Sequence, residues 1–152
     1  MGKQLAFVGV PKGHVMVFER NVQTGKVRTL VEIKNLVVSN FRAQEALSLG
    51  GSDLSGRVID EIQLGTDGTA AAVGNTGLGG SAVTISVSSY SYPATKSVQF
   101  EAVLPAASAN GTVFQEAGLF HNNGTMAART TFPSMTKSAM FEWTIRWTLT
   151  WS

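Results

Sequence analysis

Two histidines and one pair of adjacent carboxylates are the residues of this sequence whose side chains most often do chemistry. His14 lies at the start of a predicted strand and His121 at the tip of a predicted hairpin, and neither belongs to an HxH or HExxH spacing. We predict that both are solvated surface residues. Asp60 and Glu61 are neighbours on a predicted strand, where successive side chains point to opposite faces, so they cannot act together on one bond.

Serine-rich and glycine-rich segments give no stronger signal. The serines of residues 86–89 lack a Gly-x-Ser-x-Gly elbow, and the glycines of residues 74–80 lack the Lys-Ser/Thr pair of a phosphate loop. Residues 65–69 resemble a calcium loop only faintly, and Asp67 is predicted to stabilise a turn. The chain has no cysteine, which excludes a disulfide or a thiolate metal site. We therefore predict no catalytic, cofactor-binding or metal-binding residue, and no enzyme.

Composition limits the class of protein. A chain of 152 residues fits one domain. Charged residues make up 14% of it, below the roughly 25% usual for soluble domains, so the surface must be covered by Ser, Thr, Asn and Gly or partly hidden against another chain. The net charge is only +2 and no two Lys or Arg residues adjoin, so nucleic acid is not an expected partner. No apolar stretch reaches about 20 residues and no export signal is convincing, which predicts no membrane segment and synthesis in the cytoplasm.

Alternating apolar residues with turn residues between them predict strands along most of the chain. The segment 21–25, which ends in glycine, predicts a hairpin, and Asn123-Gly124 predicts a second one. Residues 65–80 have side chains too small to form a core, so we expect a long ordered loop or a segment that extends toward a neighbour. Residues 132–137 are predicted to be a further loop. The predicted strands span residues 14–20, 26–34, 57–64, 82–90, 96–104, 112–120, 125–131 and 141–151.

One short helix is predicted between residues 39 and 51. Good helix formers follow Ser39 or Asn40 as the N-cap and precede a Gly pair. The helix is expected to cover one edge or end of the sheet. The side that faces the sheet is predicted to carry Ala43, Ala46, Leu47 and Leu49.

The last strand is the strongest local signal. Phe141, Trp143, Ile145, Trp147, Leu149 and Trp151 alternate without a break against polar residues, which predicts one apolar face and a central position in the sheet. Burying that face contributes on the order of 10 kcal/mol before entropy is subtracted. We predict that Trp143 and Trp147 are buried within the domain. Trp151 lies at the terminus, where fraying is expected, so we predict that it is ordered by an oligomer or shell interface.

These elements predict a single antiparallel all-β domain. About eight strands with short turns and one short helix favour a β-sandwich with a jelly-roll or Greek-key-like topology. We place the β-sandwich domain at residues 13–152. Residues 1–12 precede it as an N-terminal arm that can reach onto a neighbouring chain by strand addition.

The second predicted hairpin carries an ion pair and two small residues. Glu116 and Arg129 lie on opposite arms and are expected to pair across it as a structural contact, worth well under about 1 kcal/mol if exposed. Ala117 and Gly118 permit close backbone approach. Of the next two residues, Leu119 and Phe120, one must face the core and the other something else.

Three segments resemble sequence blocks of a broad group of small bacteriophage virion proteins. Residues 27–49, with Asn35-Leu36-Val37-Val38 and Phe41-Arg42, resemble the group's NLV-V-N-x-G-R block. Residues 62–69, together with residues 75–78, are similar to its GTGTTAP…DTGL block. Residues 115–132 are similar to its EAGLF…GTMLART-F block. The chain departs from the group at residues 40–41, where a glycine usually precedes the Arg, and at residue 75, where Asp is common.

The resemblance implies a structural protein of the virion. The leading expectation is a capsid decoration (cement) protein that binds the head shell as a homotrimer, with the major capsid protein as its partner. The alternative within the same particle is a tail, baseplate or fibre-adaptor subunit. The resemblance implies no catalytic residue.

A third hypothesis is a carbohydrate-binding β-sandwich. Tyr90 and Tyr92 lie in a predicted turn and would form an exposed aromatic platform for a sugar. Tyrosines in turns more often cap the edge of a core, so this hypothesis ranks below the virion protein.

Overall fold

The computed structural model describes residues 10–152, which form an antiparallel all-β structure with one helix. The nine strands form one sheet in the order β4-β3-β7-β8-β2-β1-β9-β6-β5. The all-β antiparallel prediction is confirmed, whereas the two-sheet sandwich with jelly-roll or Greek-key topology is not. The elements are β1 (Lys12–Asn21), β2 (Val27–Val37), α1 (Ser39–Leu49), β3 (Ile59–Gly65), β4 (Ala82–Ser86), β5 (Ser89–Ser91), β6 (Ser97–Leu104), β7 (Val113–His121), β8 (Met126–Thr136) and β9 (Phe141–Thr150).

The sheet curls because its two edge strands follow each other in the chain. Only Val87 and Ser88 separate β4 from β5, which lie at opposite ends of the strand order. The Val87 N–H donates to the Asp60 carbonyl of β3 at 2.8 Å, and the Ser88 N–H donates to the Glu101 carbonyl of β6 at 2.7 Å. The single strand predicted over residues 82–90 is therefore interrupted where the chain changes its partner strand.

Both predicted hairpins are present. Gly25 and Gly124 have positive φ angles of 74° and 86° in the turns that join β1 to β2 and β7 to β8. The loop predicted at residues 132–137 is wrong, since β8 continues to Thr136 through Pro133. The β7–β8 register shifts between Phe114 and Glu116, and Pro133 is not paired with a residue of β7. Proline is tolerated there because its missing N–H interrupts no ladder hydrogen bond.

The core is built on β9, which lies between β1 and β6 as the alternation predicts. Trp143 and Trp147 have no exposed surface, so the prediction for these two residues is confirmed. Each indole N–H finds an acceptor: Trp143 Nε1 donates to Glu19 Oε1 at 3.2 Å, and Trp147 Nε1 donates to Asn35 Oδ1 at 2.8 Å. The two largest core side chains are thus buried with their polar ends satisfied.

Trp151 lies just past the end of β9 and is half-buried. Its ring lies 6.4 Å from the ring of Phe41 in α1, measured between centroids. This contact gives Trp151 a packing partner within its own chain. A subunit contact at the same residue stays a prediction.

The helix forms where it was predicted, but it buries a different face. Its N-cap is Val38, without a side-chain cap, so the expected Ser or Asn cap is wrong. The buried residues are Phe41 and Gln44, whereas Leu47 and Leu49 are 43% and 89% exposed. The reason is tertiary, because α1 packs over the β7–β8 turn, where Asn123 Nδ2 donates to Gln44 Oε1 at 2.8 Å.

The predicted N-terminal arm falls mostly outside the described residues, which begin at Val10. Lys12 already belongs to β1 and pairs with Thr150 of β9. The strand addition expected of the arm, residues 1–12, stays a prediction, and residues 1–9 lie outside the described part of the chain.

Gly13 is expected to resist substitution because its missing side chain makes room for Asn35. A Cβ at Gly13 would collide with the Asn35 amide, which holds the Trp147 indole. Gly13→Ala should lower the free energy of unfolding by about 1 to 3 kcal/mol in urea denaturation.

Gly74→Ala is the matched control, since a Cβ there meets no atom within 4 Å. We expect it to change stability by about 0.5 kcal/mol or less. A Gly13→Ala protein as stable as Gly74→Ala would contradict the account of the Asn35 contact.

Candidate functional site

A buried ion pair joins the middle of β7 to β8. Arg129 Nε and Nη2 donate to Glu116 Oε2 at 2.9 Å and 2.8 Å. Glu116 has no exposed surface and Arg129 is 2% exposed. The pairing predicted across this hairpin is confirmed. Because both side chains are buried, each charge is compensated by the other instead of by water. An isolated charge at this depth would lose its hydration without compensation.

The same carboxylate holds the loop of residues 66–81, which we call the β3–β4 loop. Glu116 Oε1 accepts the N–H groups of Asp67 at 3.2 Å and Gly80 at 2.9 Å, and Oε2 accepts that of Gly79 at 3.1 Å. Arg129 reaches the same loop, with Nη1 donating to Asn75 Oδ1 at 3.3 Å. We call the Glu116–Arg129 pair with these loop contacts the latch.

Glycine is required where the backbone approaches the latch. A Cβ at Gly65 would lie 2.5 Å from Glu116 Oε1, and a Cβ at Gly80 would lie 2.8 Å from the Asp67 nitrogen. Both distances are closer than side-chain atoms tolerate. The glycine-rich stretch therefore allows backbone N–H groups to reach a carboxylate of the protein itself.

Asp67 stabilises a turn at the start of the β3–β4 loop, as predicted. Its Oδ1 accepts the Thr69 N–H at 3.0 Å and the Thr69 hydroxyl at 2.8 Å. These bonds lower the pKa of Asp67, because they favour the charged carboxylate. Within residues 10–152 no three His, Asp or Glu side chains converge as a metal site.

The residues after Glu116 divide between two apolar clusters. Leu119 belongs to the main core, whereas Phe120 packs with Val38 and Met126 in a smaller cluster on the other side of the sheet. A Cβ at Gly118 would come within 2.7 Å of the Phe120 ring. The split predicted between residues 119 and 120 is confirmed. The atoms near the Cβ position of Gly118 belong to the side chains of Phe120 and Leu78, so close approach of another backbone there stays a prediction.

A groove lies between the start of β1, the end of β2 and the first turn of α1. Its volume is about 1030 Å³. The β3–β4 loop forms one rim, because the Ser39 N–H donates to the Val73 carbonyl at 2.8 Å and Val73 is 58% exposed. Lys12, Lys34 and Arg42 also line the groove.

The two histidines have opposite environments. His14 is on the surface as predicted, with Nε2 at 3.3 Å from Glu32 Oε1. The surface prediction for His121 is wrong, since it is only 4% exposed and its ring lies 5.7 Å from that of Phe41. The hairpin tip is covered by α1, a tertiary contact that no turn signal reveals.

Burial lowers the pKa of His121 below its ordinary value. Neither ring nitrogen makes a well-aligned hydrogen bond within the described residues, and the Gly56 backbone offsets the effect of burial only in part. Beside the ring is a small pocket of about 160 Å³, also lined by Gln44 and Ser48. Burial therefore favours the neutral form of the ring in the folded protein.

Asp60 and Glu61 are not brought together with any second catalytic group. Asp60 lies at the register shift in the β3–β7 pairing, and Glu61 pairs with Phe120 and with Ser86. The serines of residues 86–89 fall at the change of partner strand described above. None of these positions gains a new chemical role from the fold.

Tyr90 has a structural role in the fold. Its hydroxyl donates to the Ile59 carbonyl at 2.7 Å, and its ring meets Phe100 edge-on at 5.7 Å and 77°. Burial raises the pKa of the phenol, with a further contribution from Asp60. Tyr92 is 75% exposed, so the proposed aromatic pair is divided between one anchored ring and one free ring.

Lys137 is a buried cation that the sequence did not reveal. Its side chain has no exposed surface, and Nζ donates to the Ala106 carbonyl at 3.1 Å, to Asn110 Oδ1 at 3.2 Å and to the Ser138 carbonyl at 3.1 Å. Burial lowers its pKa, an effect that Glu19 and Glu142 oppose. Three acceptors match the three donors of an ammonium group, so Lys137 ties the β6–β7 loop to the end of β8.

Removing the charge of Glu116 is expected to destabilise the protein and to release the β3–β4 loop. Glu116→Gln leaves the buried Arg129 guanidinium with only the more distant Asp67 carboxylate, whose Oδ2 lies 3.8 Å from Nη2. The loss of the close counter-charge should lower the free energy of unfolding by about 3 kcal/mol. Urea denaturation measures the loss. Amide hydrogen exchange should also become faster at Asp67, Gly79 and Gly80.

Glu101→Gln is the matched control for Glu116→Gln. It removes the carboxylate of a partly exposed pair, in which Arg146 Nη2 lies 3.1 Å from Glu101 Oε2. We expect a loss of about 0.5 kcal/mol and unchanged exchange in the β3–β4 loop. Equal losses in the two variants would contradict the latch.

Acidification is expected to weaken the fold through His121. Burial holds the pKa of this residue below 6.5 in the folded protein. Below about pH 6.5 the unfolded chain takes up a proton that the folded protein does not, so the free energy of unfolding falls as the pH drops toward about 5. Urea midpoints measured across this range give the slope.

His121→Phe separates this proton uptake from other acid effects. The variant keeps an aromatic ring against Phe41 but cannot be protonated, so its stability should change less between about pH 7 and about pH 5. A His121→Phe protein with an unchanged slope would rule out His121 as the source.

Comparisons with protein-family models, with curated protein sequences and with solved structures found no match to this chain. Across the described residues, no helix has the length and apolar character that a bilayer crossing demands.

Proposed function

We propose that the chain is a structural protein of a bacteriophage virion. Its proposed role is capsid decoration: a homotrimer, made in the host cytoplasm, that binds the major capsid protein and stabilises the head shell. The proposal is supported by the resemblance of three sequence blocks to small virion proteins. It assigns no catalytic residue and no cofactor.

The observation that carries the proposal is that the three blocks meet at the latch. Leu36 and Val37 of the first block pair with Arg129 and Ala128 of the third. Asp67 of the second block donates its backbone N–H to Glu116, also of the third. Segments far apart in sequence thus form one physical unit, as expected if the blocks share a fold with the group they resemble.

The sandwich form of the fold is part of the same proposal. Phe114 of β7 and Trp143 of β9 are not on neighbouring strands, yet their rings pack edge to face at 5.8 Å. Two parts of the curled sheet therefore share one core. That arrangement supports a jelly-roll or Greek-key-like sandwich.

The surface supports a role in assembly. Leu49 is 89% exposed, Val27 is 60% exposed and Val73 is 58% exposed, so large apolar side chains face outward in several places. The low content of charge points the same way. The anchored ring of Tyr90 leaves the carbohydrate-binding alternative with less support.

The location of the protein on the particle tests the proposal. We expect labelled antibody to cover the head, mass spectrometry of purified particles to find many copies, and light scattering to give the mass of a trimer. Labelling confined to the tail would replace decoration with the tail, baseplate or fibre-adaptor role. A monomer that is absent from particles would overturn the virion assignment altogether.

A further inference from the structure

We propose that the groove beside α1 binds an extended segment of a partner protein in which carboxylates alternate with apolar side chains. This inference goes beyond the proposed function, because it concerns the chemistry of the occupant and not the particle that carries it. It rests on the size of the groove, a strand edge that no other described strand pairs with, and the charges that line the groove.

The groove is large enough for a peptide segment. Its volume of about 1030 Å³ lies at the upper end of the range of pockets that hold small molecules. Val10 and Pro11 form one wall, while Leu36 and Val37 line the side of β2. An apolar side chain entering between these walls would be removed from water.

The end of β2 offers backbone groups to an extended partner. β2 pairs with β1 as far as the Gly13–Asn35 pair, and Leu36 and Val37 then pair with β8 on the other side. Among the described strands, none pairs with the β1 side of β2 beyond Asn35. Pro11, the residue before β1, has no N–H to donate. An open strand edge of this kind accepts an added strand by main-chain hydrogen bonds.

The charged side chains that line the groove favour an occupant of negative charge. Lys12, Lys34 and Arg42 are exposed and line the groove, and no Asp or Glu side chain does so. None of the three forms an ion pair with a carboxylate side chain of residues 10–152. Because successive side chains of an extended segment point to opposite sides, a segment that alternates carboxylates with apolar residues can contact both the cations and the valines that line the groove.

The chain's own first nine residues are a poorer match by charge. They lie outside the described part of the chain, and Lys3 is their only charged side chain. A basic segment gains nothing from a basic groove. The partner is therefore inferred to be another, acidic, protein segment.

Fluorescence anisotropy with two short labelled peptides tests the inference on the full chain. One peptide alternates Glu with Leu, and the other alternates Lys with Leu. We expect the Glu peptide to bind about tenfold or more tightly than the Lys peptide, and to weaken as salt is added. Equal binding of the two peptides, or no binding of the Glu peptide, would overturn the proposal.

Paired variants locate the binding site. Lys34→Glu combined with Arg42→Glu should weaken binding of the Glu peptide about tenfold or more. Lys26→Glu combined with Arg57→Glu is the matched control, because it makes the same change in net charge at exposed residues outside the groove lining. Equal losses in the two double variants would show attraction by overall charge alone and overturn the site.

Two further outcomes would assign the groove to a different occupant. A synthetic peptide of residues 1–9 that displaces the Glu peptide at equal or lower concentration would give the groove to the chain's own N-terminal segment. A change from trimer to monomer in the Lys34→Glu/Arg42→Glu variant would give it to a second copy. Particle binding is measured separately, so the proposed function and this inference can fail independently.

Discussion

The structure depends on one buried carboxylate. Glu116 has no contact with solvent, so its charge must be balanced by the protein. The Arg129 guanidinium supplies the positive charge, and three backbone N–H groups of the β3–β4 loop supply the remaining hydrogen bonds. This single group thereby joins two strands to a loop whose own side chains are too small to form a core.

The latch also determines where the groove lies. Since the two ends of the β3–β4 loop are fixed near Glu116, the middle of the loop extends across to α1, where the Val73 carbonyl accepts the Ser39 N–H. Arg129 pairs with Leu36 through the β2–β8 ladder. The ion pair therefore helps to position the rim of the groove, whereas the β2 wall is held by its backbone ladders with β1 and β8.

The sequence predicts those parts of the fold that depend on local pattern. The alternation of β9 gives its central position and the burial of Trp143 and Trp147, and Gly25 and Gly124 mark the hairpin turns correctly. The local pattern does not predict burial that depends on contacts with segments distant in sequence. His121 is buried because α1 covers the hairpin tip, and Lys137 is buried because two backbone carbonyls and an amide oxygen surround its ammonium group.

The candidate site was predictable only in part, for the same reason. The pairing of Glu116 with Arg129 follows from a hairpin register that a turn signal can indicate. The burial of the pair, and the hydrogen bonds of Glu116 to a loop 36 or more positions away in sequence, depend on tertiary contacts that the alternation of residues does not predict. The groove likewise lies where the pairing of β1 with β2 ends, at Gly13 and Asn35, and alternation alone cannot show where a pairing ends.

A buried ion pair often contributes little net stability, because apolar residues of the same volume can replace it without loss. That exchange is not open to this chain. An apolar pair at 116 and 129 would leave the N–H groups of Asp67, Gly79 and Gly80 without their acceptor, and each lost hydrogen bond costs about 0.5 to 1.5 kcal/mol at these partly exposed residues. The carboxylate of Glu116 is needed because it accepts the N–H groups of the loop. The guanidinium of Arg129 is needed because it balances the buried charge of Glu116. The latch is thus best understood as the means by which a glycine-rich loop, unable to pack, is held in the one position that completes the groove.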